Sequence, residues 1–163
     1  MMLAAPVIAM GLMGATGAKA ATANNNFDVT ATIIASCTIT ANNLAFGNYD
    51  PFSVTDTDQT TTISVTCSNN APYNIQLNGG SVAGNVAART MDHDVTPANT
   101  LSYALFRDAG RTQNWGVTNG TDTVAGTGTG AAQVITVYGR ITAGQTTPIV
   151  GAYTDTVTAT IEY

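Results

Sequence analysis

The sequence predicts an all-β, immunoglobulin-like Greek-key sandwich. Three observations carry that expectation. Runs of period-2 alternation recur along the chain with turn residues between them, threonine is abundant at 29 residues, and no segment sustains a 3.6-residue period. Charge points the same way. Five Lys+Arg and 10 Asp+Glu make a charged fraction of 9%, too low for the e and g positions of a coiled coil or the wet faces of a helical bundle. An apolar content of 44% can bury a core, which excludes a disordered chain. The net charge is −5, with four Arg and no Lys beyond residue 20. A phosphate backbone needs a basic face, so no nucleic-acid partner is expected.

The elements follow in chain order. Residues 1–20 read as a secretory signal peptide: Leu3 to Met13 is apolar apart from Pro6 and Gly11, and Ala18-Lys19-Ala20 sets small residues at the −3 and −1 positions of a cleavage site. No basic residue precedes the apolar run. A membrane anchor is the competing reading, but the stretch is short and lacks a stop-transfer flank. Phe27, Val29, Ala31 and Ile33 alternate with Asp28, Thr30 and Thr32 as a first strand. Ile63, Val65 and Cys67 form another, and Tyr73, Ile75 and Leu77 a third, closed by Gly79-Gly80. Leu101, Tyr103 and Leu105 repeat the pattern. Val134 to Ile141 is more continuously apolar, which suits a strand covered on both faces. Tyr153 to Tyr163 reads as one strand, with Val157, Ala159, Ile161 and Tyr163 opposite Thr154, Thr156, Thr158, Thr160 and Glu162. Asn42-Asn43, Asn69-Asn70, Pro72, Pro97 and the stretch from Gly120 to Gly130 read as turns and loops. The 143 residues beyond the leader suit one domain with one core.

Cys37 and Cys67 are the only cysteines, and an even count in an exported chain argues for a structural disulfide. With one distant histidine, His93, they make no four-ligand metal site. Candidate chemistry elsewhere is thin. A Ser-His-Asp triad has only His93 to draw on, in a polar stretch that reads as a surface loop, and no nucleophile-elbow pattern accompanies it. Asp56 and Asp58 lack the Gly and distal Glu of an EF-hand and read as a solvated turn. Gly126, Gly128 and Gly130 precede no helix whose N-terminus would hold a phosphate. Paired carboxylates for glycoside hydrolysis leave no sequence signature, and nothing suggests them. No cofactor and no enzymatic activity are expected. The two ends of the mature chain are more informative: a strand with one apolar face near the leader, and a Thr-rich strand running to the last residue. Edge strands of a self-contained sandwich and pairing segments for a partner fit them equally well.

A family likeness lies in the surroundings of Cys37, in the Cys67 strand with Tyr73-Asn74-Ile75-Gln76-Leu77, and in Leu101 to Asp108 with Trp115-Gly116. Tyr138-Gly139-Arg140-Ile141, Gly144-Gln145 and Gly151 to Val157 continue it over nearly the whole mature chain. In these motifs the chain resembles the spore coat protein U domain family, which includes the major subunits of archaic chaperone–usher pili. The resemblance implies an incomplete sandwich, completed by a donor strand from a neighbouring subunit, with residues 21–34 as the N-terminal donor strand and 35–163 as the pilin domain. Phe27, Val29, Ala31 and Ile33 match the donor face, Ala31 being smaller than the bulky residue often found there. Cys37–Cys67 matches the family disulfide. Tyr153, Val157, Ala159, Ile161 and Tyr163 match the strand that meets the chaperone and borders the acceptor groove. Implied partners are further copies of the chain, a periplasmic chaperone, an outer-membrane usher and a tip adhesin. The implied function is a structural subunit of a surface fimbria supporting adhesion and biofilm formation, exported through the periplasm to the cell surface. The alternative is a non-fimbrial secreted spore-coat or surface-coat protein.

Overall fold

The computed structural model describes Gly17 and residues 19–163. The apolar run of the expected signal peptide, and Ala18 of its cleavage site, lie outside the described residues. The chain divides into two units between Thr32 and Ile33. In the first, the described residues carry no regular secondary structure and are exposed, Phe27 and Val29 each at 85%.

The second unit is all β. Its strands are β1 (Cys37–Ala41), β2 (Thr57–Cys67), β3 (Pro72–Leu77), β4 (Arg89–His93), β5 (Thr100–Phe106), β6 (Val124–Thr127), β7 (Ala132–Ile141), β8 (Tyr153–Thr154) and β9 (Ala159–Glu162). They form a six-stranded sheet in the order β1-β2-β7-β5-β4-β8 and a three-stranded sheet in the order β6-β3-β9. Every ladder is antiparallel. The alternation seen in sequence is what sorts the faces. Ile63, Val65, Leu101, Leu105, Val137 and Ile141 point inward from the larger sheet and meet Tyr73, Ile75 and Leu77 of the smaller one. Cys37 and Cys67 are ladder partners and are disulfide-bonded across a sequence separation of 30.

Trp115 is fully buried and donates its indole N–H to Ile75 O at 2.9 Å. Arg89 is fully buried too, at 0% exposure. Its guanidinium donates five hydrogen bonds, to Leu77 O, Val86 O, Trp115 O and twice to Asn78 O. The cation thus ties the carbonyls of Leu77 and Asn78 at the end of β3 to those of Val86 ahead of β4 and Trp115 beyond β5.

Several expectations are corrected. Tyr153 to Tyr163 is not one strand: β8 pairs with β4 in the large sheet and β9 with β3 in the small one. Between them Asp155 and Thr156 are drawn off by hydrogen bonds to Ser81, and Thr158 by Asn78. Val134 is exposed, so β7 buries only one face. The stretch from Gly120 to Gly130 holds β6, and Gly126 lies under the Tyr73 ring, where a Cβ has no room. His93 is buried as the last residue of β4. Its Nδ1 accepts the N–H groups of Val95 and Thr96, which leaves the proton on Nε2, 3.3 Å from Val150 O. A histidine whose ring atoms are all paired to backbone can leave the surface. Asp58 belongs to β2 and pairs bidentately with Arg140 at 2.7 and 2.8 Å, with Arg111 at 3.3 Å. Residues 27–33 form no ladder among the described residues, because a strand needs a neighbour to pair with.

Candidate acceptor groove

Four strands of the second unit have one edge without a partner among the described residues: β1, β6, β8 and β9. The edges of β9, which pairs only with β3, and of β1, which pairs only with β2, border one groove. Beyond β1 the chain continues over the inner face of the large sheet as residues 43–49. Their backbone N–H groups donate to no other group among the described residues. Leu44 and Phe46 still point inward, onto Gly139, where any side chain would collide with them. Phe46 also meets Tyr103 edge-to-face at 6.2 Å.

Between these edges lies an elongated groove. Its first part has a volume of about 560 Å³, with Ile63, Leu77, Tyr103 and Val137 among its walls and Val157 and Ala159 on its rim. A second part, of about 730 Å³, includes Tyr49, Ile141, Pro148, Ile149 and Tyr153. Leu44, Phe46 and Met91 line both, so the two are continuous. The lining is largely aliphatic and aromatic, and no cluster of three His, Cys, Asp or Glu fit for a metal occurs among the described residues. The groove presents mostly apolar side chains. It offers apolar pockets beside unpaired backbone groups, which is what an added β-strand requires.

Asp155 holds the groove's shape where the chain changes sheets. Its Oδ1 accepts Ser81 N, Ser81 Oγ, Val82 N and Thr156 N at 2.7–3.2 Å, and Oδ2 accepts the Tyr103 hydroxyl at 2.6 Å. Desolvation pushes the Asp155 pKa up, but hydrogen bonds from Tyr103, Ser81 and the backbone outweigh it and hold the carboxyl below its ordinary value. Burial first, then the Asp155 hydrogen bond, pushes the Tyr103 hydroxyl well above the usual tyrosine range. Tyr103 therefore stays protonated and donates.

The sequence-predicted site residues fall as follows. Val157 and Ala159 line the groove. Ile161, opposite Ile75 in β9, is half-buried against the core. Tyr163 lies past β9 and is exposed. Tyr153 belongs to the groove's far part, its ring edge-on to His93 and its hydroxyl donating to Ile149 O at 2.8 Å and to Asn99 Oδ1. Phe27, Val29 and Ala31 are exposed in the first unit, and Ile33 is exposed at the start of the second. Leu44, Phe46, Met91, Asp155 and Arg89 were not singled out in sequence. The Leu44-x-Phe46 alternation was a usable signal, whereas nothing local marks the other three.

Comparison with known proteins agrees with this architecture. The Spore Coat Protein U domain model matches residues 23–160. "Protein U" of Myxococcus xanthus is 36% identical over 174 residues, spanning 99% of this chain and 96% of that protein. Among solved structures, a chain from the CsuC–CsuE chaperone–tip adhesion subunit pre-assembly complex of archaic chaperone–usher Csu pili of Acinetobacter baumannii superimposes with a TM-score of 0.60. It is 23% identical, and the match covers 81% of this chain and 41% of that one, a likeness of fold. The E. coli Hda pilus minor tip subunit gives a TM-score of 0.40 at 16% identity, over 77% of this chain and 80% of that one.

Proposed function

This chain belongs to the Spore Coat Protein U domain family, and from that premise we propose that it is a structural subunit of a surface fimbria built by donor-strand exchange. The observation that carries the proposal is the apolar groove between the free edges of β9 and β1, in a chain that also holds an exposed segment of alternating apolar residues. Phe27, Val29, Ala31 and Ile33 of one copy enter the groove of another, where the strand pairs with the edge of β9. Burying Phe27, Val29 and Ile33 is worth roughly 5–9 kcal/mol before ordering costs, at about 1.5–3 kcal/mol for each side chain. The fibre's durability then owes as much to slow strand release as to affinity.

An empty groove is an aggregation hazard. A periplasmic chaperone covers it first, and an outer-membrane usher exchanges chaperone for the next subunit, with a tip subunit ending the fibre. The cell surface is the destination, and adhesion and biofilm formation are what the fibre supports. A second reading, a non-fimbrial coat component, is favoured by the near full-length relation to Protein U.

The test is Val29→Asp in cells with the chaperone and usher. A charge in a dry groove costs several kcal/mol. Fibres are expected to vanish while the chaperone complex persists. Deleting residues 21–34 should do the same, whereas a chain that fails to fold on that deletion would show the segment to be part of its own sandwich. Conversely, fusing residues 27–33 after Tyr163 through a short Gly/Asn linker should give a stable, chaperone-independent monomer. If that fusion aggregates while the unaltered chain folds alone, the coat reading stands.

A further inference from the structure

The donor-strand reading leaves Ile34 without a task. Ile34 is exposed, at 77%, and its position one residue past Ile33 places its side chain on the opposite face of an extended segment. A second set of exposed apolar side chains, Phe52, Val95, Ile149 and Val150, also lies outside the core. Its members are neighbours. Pro51, beside Phe52, lines the far part of the groove together with Ile149 and Val150. His93 accepts the Val95 N–H and faces the Val150 carbonyl. The set crowns the end of the sandwich where β2 begins, since the same part of the groove reaches Ile141, the ladder partner of Thr57. At the other end of β2, 11 residues and about 35 Å away, Cys67 meets Cys37 among Ser36, Ser68, Asn69, Asn70 and Thr129. One end is apolar and the other polar.

Strand polarity says which end of one copy meets which end of the next. Every ladder in the unit is antiparallel. β9 runs toward the Cys37 end: Ala159 pairs with Leu77 and Glu162 with Asn74, and β3 starts beside Ala71, whose carbonyl accepts Gly128 N while Gly130 N donates to Cys67 O. A segment added antiparallel to β9 therefore enters at the Cys37 end and leaves at the apolar end. Four Cα steps separate Ile33 from Cys37, a reach of at most about 14 Å. The body of the donating copy is held within that distance of the apolar rim.

We infer that Phe52, Val95, Ile149 and Val150 form a docking rim for a second copy of this chain, and that Ile34 of the second copy seats on it. The inference rests on the donor-strand reading and adds a body-to-body contact to it. Without that contact the stem from Ile33 to Ser36 is a free hinge; with it, consecutive bodies lock at a fixed angle. The rim therefore sets the stiffness of the fibre rather than its assembly.

The experiment is paired-cysteine cross-linking in fibres of the full chain, with mild oxidation and a non-reducing denaturing gel. Ile34→Cys with Val150→Cys should give a ladder of multimers, as should Val29→Cys with Val157→Cys, which reports the donor strand alone. Ile34→Cys with Asn69→Cys, which reports the reverse polarity, should give none. A ladder from 29 with 157 but none from 34 with 150, or a ladder from 34 with 69, overturns the rim and leaves the donor strand standing. Absence of ladders from all three pairs overturns both. A second measurement does not depend on cysteines: Ile34→Ser fibres should still form, with a persistence length in electron micrographs at least twofold shorter. An unchanged persistence length overturns the inference.

Discussion

Replacing Arg89 with alanine tests whether a buried cation organises this sandwich. The guanidinium is fully buried and donates five hydrogen bonds to four backbone carbonyls. Desolvation lowers its pKa from the usual arginine value, and Tyr103, Asp155 and Asp122 oppose that shift, so it remains charged at neutral pH. Hydrogen bonds from a charged group contribute about 1.5–3 kcal/mol each, but they are not additive, and losing one side of a buried charged network costs about 3–5 kcal/mol. We expect about 4 kcal/mol for Arg89→Ala, a large share of the 5–15 kcal/mol typical of a domain. The chain's single tryptophan is a built-in reporter, because Trp115 O is one of the four acceptors and its ring is buried. With a urea m-value of about 2 kcal/mol/M, the fluorescence midpoint should fall by about 2 M. Arg89→Lys keeps the charge but loses the planar fork, and should recover less than half of that. A midpoint shift below about 0.5 M for the alanine variant would refute the reasoning, since it would mean that water satisfies those carbonyls as well as Arg89 does.

Thiol titration of the unfolded, unreduced chain should find no free thiol, and reduction should cost roughly 3–4 kcal/mol in the chain-entropy model for the loop closed by Cys37 and Cys67; two titrating thiols contradict the pairing. Gly126→Ala drives a methyl into the Tyr73 ring and should destabilise by about 1–3 kcal/mol, read from the thermal midpoint. Asp155 has its folded pKa below the ordinary 3.8, so its contribution is fully present above that value and is lost as pH falls through the lower folded one. The urea midpoint of the unaltered chain should therefore exceed that of Asp155→Asn at pH 7, and the gap should narrow below pH 3.8; a constant gap rejects the assignment. Deleting Glu162 and Tyr163 removes the acceptor of Gln76 Nε2 and Asn119 Nδ2 and shortens the β9 edge. Periplasmic levels and chaperone capture should fall, and normal accumulation would show that edge to be packing alone.

The sequence by itself determined the class of fold and the inner faces of β2, β3 and β5, because side-chain alternation is a local record of which face is buried. It also determined the disulfide partners, there being only two cysteines, and it marked Val157 and Ala159 as inward residues of the last strand. What it did not determine is where that strand changes sheets. Val157 and Ala159 keep their alternation through the break, and what divides β8 from β9 is the Asp155 carboxylate, pulled toward Ser81 and Tyr103, together with the bonds of Thr156 to Ser81 and of Thr158 to Asn78. The burial of β4 was equally hidden. His93 read as a surface residue and nothing in the sequence marked Arg89, because tertiary structure alone supplies the carbonyls and N–H groups that satisfy them, and those come from residues up to 57 positions away. β6 was lost among glycines because Gly126 is chosen for the Tyr73 ring above it, a constraint set by packing and not by strand propensity. The groove is tertiary by nature: it is the space left between β9 and the distant stretch of β1 and residues 43–49, where β9 and β1 each keep one edge unpaired and the N–H groups of 43–49 donate to no other group among the described residues. Alternation records which side chains turn inward, but an unfilled edge exists only once all the other strands have taken their places.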